Sequence, residues 1–289
     1  FDNLSSGRKE NIAMLASNPN FIFVQGNVNE RADLEKVFEG HYIDLVFHGA
    51  AVVGVQRVIE NPIEVLRDLD GLRAIFELSR AHGVKKLVFA SSSEAYGEPV
   101  TLPEREEGPL NVNARDPYAL VKLIGEHLCH VDWEKYKLPT PALRYFNVYG
   151  PRQESSAYGF VVGVFIRQVL AGKPPTIFGD GNQTRNFVYI DDNVELITRA
   201  FGSVTANGET VNVGSGPQTT IRELAEHTIA IAGANTQPEY LPEREIEIRY
   251  RSPDITKMQK LFGYVPQVSL DEGLKRTIAS YRESMKHGA

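Results

Sequence analysis

Strand-length apolar runs alternate with helix-length amphipathic segments through the first half of the chain, and this rhythm narrows the possible folds more than any other feature. FIFVQG (21–26) is followed by a helical pattern near 31–39, DLVFHGA (44–50) by one near 62–82, and KLVFASS (86–92) by one from about 117 to 136; TPALRYFNV (140–148) comes next. Runs that are apolar almost without interruption are buried on both faces, and strands joined through helices run parallel. The pattern therefore predicts an α/β fold, a Rossmann-type parallel sheet with helices on both faces. Sheets of this kind bind ligands beyond the carboxyl ends of their strands. The residues of interest thus follow each run: Asp2, Gly26 to Val28, Gly49 to Val53, Ser91 to Glu94, and Asn147.

After PRQ (151–153) the rhythm changes. FVVGVFIRQVLAG (160–172) reads as a helix, PPTIFGDGNQTRNFVYI as short strands joined by Gly- and Pro-marked turns, and DDNVELITRAF (191–201) as a helix with an acidic first turn. The division predicted is a Rossmann domain over 1–147 and a smaller mixed α/β lobe over 148–289, some of whose elements return to the main sheet. The cleft between the two is the expected active site.

With 289 residues and a formal net charge of −6, the chain has no general attraction to nucleic acid or an anionic membrane. No apolar stretch approaches the roughly 20 residues of a membrane span. The single cysteine, Cys129, lies in an apolar helical pattern and reads as a core residue of a cytoplasmic protein. Residues 1–7, FDNLSSG, open the chain without a methionine, which predicts that a preceding segment has been lost.

The sharpest constellation is SSSEAYG (91–97) followed by Tyr118 and Lys122 in DPYALVK. Helical i,i+4 spacing puts the tyrosine and lysine on one face, and Asp116-Pro117 is a helix start. Tyrosine titrates near 10, so a tyrosine base at neutral pH needs a shift of roughly 3 units, about 4 kcal/mol, toward which a nearby ammonium works. A hydroxyl at the strand end would orient the substrate oxygen whose proton is exchanged.

Eight sequence words occur in one order: FDNLSSG, VFHGAA, FASSSEAYG, YALVK, LRYFNVYGPRQ, IFGDGNQTRNFVYIDD, VNVGSG and DITKMQKLFGYVP. With them the chain resembles, over essentially its whole length, the extended short-chain dehydrogenase/reductases of the NAD-dependent nucleotide-sugar epimerase/dehydratase family, most closely the UDP-glucose (UDP-galactose) 4-epimerase branch. The resemblance implies Ser92, Tyr118 and Lys122 as the catalytic triad and NAD as cofactor. Asp2 would hold the adenosine ribose, with Asn3, Ser5 and Ser6 nearby; Asn27 and Val28 would flank adenine, Ala50 and Ala51 the pyrophosphate, and Tyr145 the nicotinamide. Ser92, Ser93, Asn147, Arg185 and Arg244 would meet the nucleotide-diphosphate sugar, the arginines through the bidentate fork that suits a diphosphate. A homodimer built on the helix carrying Tyr118 and Lys122 and the helix before it is implied in the same way.

The departures from the family pattern are specific. Its first strand and Gly-rich turn, which carry the pyrophosphate at a helix N-terminus, have no counterpart here; the chain is expected to be a fragment that by itself holds NAD poorly. Asp68 stands where the family usually has Asn, Val53 where a lysine is often found, and the acid after the substrate arginine is displaced, with Glu247 the nearest candidate.

Glu94 divides three reactions. In a 4-epimerase, Tyr118 takes the sugar 4-hydroxyl proton as NAD oxidises C4, and a 4-keto sugar turns over before reduction. A carboxylate near C5 of that ketone would instead serve a 4,6-dehydratase, and a ketone beside a C5 carboxylate would serve a UDP-glucuronate decarboxylase. Glu two positions after the catalytic hydroxyl resembles the last two groups, whereas Ser93 stands where dTDP-glucose dehydratases have Asp. A carboxylate aimed into the cleft would favour elimination or decarboxylation; one bonded to loop amides would leave the epimerase. A family member retained as a non-catalytic NAD-binding scaffold is a further alternative.

Overall fold

Strand β1 (Leu45–His48), helices α2 (Val55–Glu60) and α3 (Pro62–Ala81), strand β2 (Lys86–Ser92), helix α4 (Pro117–Tyr136) and strand β3 (Ala142–Tyr145) follow α1 (Arg31–Gly40) in a computed structural model that describes residues 1–113, 116–153, 160–243 and 248–286. The main sheet is parallel, with order β1-β2-β3-β8, where β8 is Thr210–Val213. The α/β fold expected from the alternation is the one found. Every residue of β2 is buried, which is why KLVFASS carries no polar alternation. Leu87, Val88 and Phe89 are at most 1 % exposed, and each such burial stabilises by roughly 1.5–3 kcal/mol.

Helix starts follow the local chemistry. Pro117 opens α4 and the Asp116 carboxylate, at its N-cap, accepts from the Ala119 amide at 3.1 Å; Pro62 opens α3 in the same way. On one side of the sheet α1, α3 and α4 enclose Leu34, Phe38, Leu72, Phe76, Phe89 and Cys129, so the lone cysteine is a core residue.

Beyond β3 the chain forms β4 (Asn147–Tyr149), α5 (Val161–Leu170), β5 (Thr176–Phe178), β6 (Thr184–Arg185), β7 (Phe187–Tyr189) and α6 (Ile190–Gly202). After β8 come β9 (Thr219–Thr220), α7 (Ile221–Ala232), β10 (Glu239–Leu241), α8 (Thr256–Phe262) and α9 (Leu270–Lys286). Apolar faces of α5, α7 and α9 share one core around Phe165, Ile166, Leu224 and Leu274. Leu196 of α6 and Met258 of α8 cover Val88, Leu143 and Val211 from the second side of the sheet. Among the described residues, no helix is long and apolar enough to cross a membrane.

The run FIFVQG does not form the strand its composition predicts. Its pairing is a single parallel bridge, Asp2 with Gln25, supported by the amides of Asp2 and Gly26. A strand is defined by its ladder, and the described neighbour of this run meets it through Asp2 alone, so Ile22 stays 63 % exposed.

Candidate active site

Strand β2 delivers Ser92 to the carboxyl edge of the sheet and stops there. Ser92 keeps extended backbone, its Oγ accepts from the Glu94 amide at 3.2 Å, and residues 93–96 curl into a 3-10 turn. Gly97 ends the turn at φ 65°, where a Cβ would run into the Asn111 carbonyl, so only glycine fits.

Helix α4 brings Tyr118 and Lys122 to the same place. The Tyr118 hydroxyl hydrogen-bonds Ser92, and the Lys122 ammonium lies 5.3 Å from the tyrosine ring centroid while donating to the Ala90 carbonyl at 2.8 Å. Burial, reinforced by Glu94, Asp116 and Asp68 and opposed by the Ser92 bond, pushes the Tyr118 phenol up to about 12. Lys122 moves the other way, to about 8, because burial outweighs the pull of Asp68 and Glu126. In the protein by itself the tyrosine is thus a protonated phenol at neutral pH, and the neighbouring Lys122 does not offset the effect of burial.

The strand end and the catalytic helix are tied together behind this group. Ser91 donates to Glu126 at 2.5 Å, and Arg144 of β3 grips both oxygens of Glu126 at 2.7 and 2.6 Å, with all three side chains buried. His48 at the end of β1 stacks on Phe89 at 5.9 Å; burial and the Lys122 charge hold its imidazole down at about 3.

Among the described residues the Glu94 carboxylate is bonded by a side chain and not by loop amides, and its charge bears on Tyr118. Its Oε2 receives a 3.2 Å bond from Arg251, whose guanidinium is 2 % exposed and also bonds Glu104 at 2.7 Å. Glu104 accepts the Ser252 amide as well. Sequence reasoning missed Arg251, Glu104, Glu126, Arg144 and His48. For Arg251 the only hint is its place in the charged run before PDIT.

The residues expected to border the cofactor fall in separate segments: two loops, the end of β1 and the end of β3. Asp2 is exposed and accepts the Leu4 amide at 2.6 Å; Asn3 accepts that of Ser5, and Ser6 is exposed beside it. Asn27 Oδ1 accepts the Asn29 amide, Val28 packs on the core, and Ala50 and Ala51 present small side chains after β1. The Tyr145 hydroxyl, at the end of β3, is buried with no hydrogen-bond partner. An exposed carboxylate, a pair of small side chains after β1 and an orphaned buried hydroxyl at the end of β3 fit a dinucleotide. Asp68, nine-tenths buried on α3, accepts from Asn29 Nδ2 at 2.8 Å and from the Val52 amide at 2.9 Å, joining the loop after Gln25 to the loop after His48.

Of the residues expected to meet the substrate, Asn147 pairs with Phe187 two residues from Arg185, and Ser93 is buried in the turn after Ser92. Arg185 donates to the Thr184 carbonyl. Arg244 and Glu247 lie outside the described residues. Among the described residues, no group of three or more His, Cys, Asp and Glu side chains is placed to hold a metal ion.

Comparison with known proteins gives the family. Residues 1–214 match the pattern of the NAD dependent epimerase/dehydratase family. A UDP-glucose 4-epimerase of Mycolicibacterium smegmatis is 35% identical over 97% of this chain and 89% of its own. A UDP-N-acetyl-alpha-D-glucosaminuronate decarboxylase of Bacillus cytotoxicus is 34% identical, covering 98% and 89%. The crystal structure of UDP-glucose 4-epimerase from Thermotoga maritima with UDP-glucose superposes with a TM-score of 0.91 at 34% identity, covering 98% of this chain and 90% of that one.

Proposed function

Because the chain belongs to the NAD-dependent epimerase/dehydratase family, whose cofactor is the one the sequence calls for, we propose that it is an epimerase acting at C4 of a UDP-sugar of the glucose/galactose type. One observation carries this reading: at the carboxyl edge of the sheet the Tyr118 hydroxyl bonds Ser92, and the Lys122 ammonium lies 5.3 Å from the tyrosine ring centroid. NAD, when bound, supplies the acceptor and donor of the C4 hydride. The protein does the rest. Ser92 holds the 4-hydroxyl oxygen, Tyr118 takes and returns its proton, and Lys122 supplies the positive charge that favours the phenolate.

In the same proposal Asp2, Asn3, Ser5, Ser6, Asn27, Val28, Ala50, Ala51 and Tyr145 border NAD, while Ser93, Asn147, Arg185 and Arg244 meet the UDP-sugar. A cofactor domain over 1–147 and a mainly substrate-binding lobe over 148–289 belong to it as well. So does a homodimer through α3 and α4, supported by Ile63, Leu66 and Ile124, which are 69, 40 and 43 % exposed. Cytoplasmic residence is proposed from the single, buried cysteine.

A second reading rests on Glu94. Its charge reaches Tyr118, and a decarboxylase stands among the relatives, so decarboxylation or 4,6-dehydration is the alternative. The pairing with Arg251 favours the epimerase, since a carboxylate oxygen held by a guanidinium is poorly placed to remove a C5 proton. Incubation of the NAD-loaded protein with UDP-glucose, UDP-glucuronate and their N-acetyl analogues, followed by mass analysis, separates the readings: unchanged mass with a new epimer supports the proposal, and loss of water or carbon dioxide overturns it. Tyr118→Phe is expected to lower the rate by about 10²–10⁴-fold; a parent-like rate would remove Tyr118 from its role.

A further inference from the structure

Ser92, Tyr145 and Val213 stand in one row across the carboxyl edge of the main sheet, since Ser92 is the register partner of Tyr145 and Tyr145 that of Val213. From Val213 the chain runs through Gly214, Ser215, Gly216, Pro217 and Gln218 to Thr219, which pairs with Arg185 where β9 meets β6. This loop is therefore a direct covalent link between the row that holds Ser92 and the strand that holds Arg185. Two glycines and the exposure of residues 216–218 give it little rigidity of its own.

One side chain pins it. Asn186, 0 % exposed, sits between Arg185 and Phe187. Its Oδ1 accepts from the Ser215 amide at 2.7 Å and from the Ser215 hydroxyl at 3.3 Å. Its Nδ2 donates to the Ser215 carbonyl at 2.7 Å and to the Pro217 carbonyl at 2.9 Å. Only a carboxamide answers this set, because an amide must meet an acceptor and two carbonyls must meet donors, and an ionised carboxylate has no hydrogen to give. The backbone of the same residue reaches the other expected substrate contact: the Asn186 carbonyl accepts from the Asn147 amide at 3.0 Å. The fit is close, since a Cβ on Gly214 would stand 2.9 Å from Asn186 Oδ1 and 2.5 Å from Pro253 Cγ.

We infer that Asn186 is a positioning residue for the substrate, which fixes Arg185 and Asn147 at a set distance from the row carrying Ser92, so that a nucleoside diphosphate held by the arginine delivers its sugar to the reacting hydroxyls. The inference rests on the reading of Arg185 and Asn147 as diphosphate contacts. A purely structural Asn186 predicts loss of stability alone on substitution. The positioning role predicts, in addition, weaker binding of a nucleoside diphosphate, with NAD binding spared.

The test is calorimetric titration of UDP into the protein in excess NAD, with NAD titrated separately. Asn186→Asp, nearly the same in shape, is expected to weaken UDP binding by about tenfold or more and to leave NAD affinity within about twofold. In turnover its KM for a UDP-sugar should rise by a larger factor than kcat falls. Asn186→Ser replaces Asn186→Asp if that variant does not fold. Parent-like UDP affinity in the folded variant overturns the inference. A parent protein that binds no UDP overturns it together with the reading of Arg185, whereas one that binds UDP and epimerises no UDP-sugar fails the proposed activity alone.

Discussion

The Glu94 carboxylate is bonded to Arg251 at 3.2 Å across 157 positions of sequence, and the same guanidinium bonds Glu104 at 2.7 Å. The arginine and Glu104 are both 2 % exposed, whereas the Glu94 side chain is 43 % exposed. The inner half of this triad is therefore a buried ion pair and the outer half is screened. Removing one partner of a buried pair leaves an uncompensated charge, at a cost of about 3–5 kcal/mol; loss of the outer contact costs about 1 kcal/mol or less. Arg251→Met is thus expected to destabilise the protein strongly and Glu94→Gln only slightly. Urea unfolding of both variants checks the ranking, and equal midpoints would show that the triad is not organised in this way.

The clamp formed by Ser91, Glu126 and Arg144 has a catalytic reading because it fixes the strand carrying Ser92 against the helix carrying Tyr118. Glu126→Gln leaves the Arg144 guanidinium buried beside a neutral amide, and about 3 kcal/mol or more of stability should be lost. Below its unfolding temperature this variant should also lose turnover more than substrate affinity, since the Ser92–Tyr118 distance is what loosens. Steady-state kinetics at 15 °C with the NAD-loaded protein test this; a drop confined to KM would point to the substrate side instead.

How much of this was readable beforehand depends on range. Tyr118, Lys122 and Ser92 could be placed because each sits at a local landmark: a Pro-initiated helix, an i,i+4 step, the polar end of an apolar strand. The buried ion pairs could not. Glu126 and Arg144 are 18 residues apart and Arg251 is 157 from Glu94, so nothing in local pattern marks either pair, and a charge run reads as solvated until tertiary packing covers it. Glu94 shows the consequence: the partner that holds its carboxylate is a guanidinium from beyond residue 250, which neither the loop beside it nor the strand before it announces. FIFVQG failed for a related reason. Its composition is that of a strand, but strand formation also requires a partner, and Asp2 provides a single bridge.

His48 should make stability depend on pH. Its folded pKa, about 3, lies below the unfolded value of 6.5 because burial disfavours the imidazolium, with the Lys122 charge adding to the effect. Between those values the unfolded chain binds more protons than the folded one. The stability associated with neutral His48 is therefore complete above about pH 6.5 and is lost as pH falls toward 3, with a slope of at most about 1.4 kcal/mol per pH unit. His48→Phe retains a ring against Phe89 and does not titrate. Its urea midpoint should fall less steeply than the parent's between pH 6.5 and 4; parallel curves would mean that His48 is solvated in the folded protein.

Gly71 lies one turn past Asp68 on α3, and an added Cβ would stand 2.5 Å from Asn29 Oδ1 and 3.1 Å from the Val28 carbonyl. In an open helix, Gly→Ala stabilises by about 0.5–1 kcal/mol. Here the methyl pushes against the loop that Asp68 holds through Asn29, and overpacking of this kind costs about 1–3 kcal/mol. The carbonyl belongs to backbone and cannot rotate away as a side chain does, so the loop from Asn27 to Asn29 must move off the helix. If that loop borders the adenine of NAD, Gly71→Ala should weaken NAD binding by roughly tenfold while leaving the Ser92, Tyr118 and Lys122 group in place. Calorimetric titration of NAD into the parent and the variant measures the effect. Unchanged affinity in a folded variant would separate this loop from the cofactor.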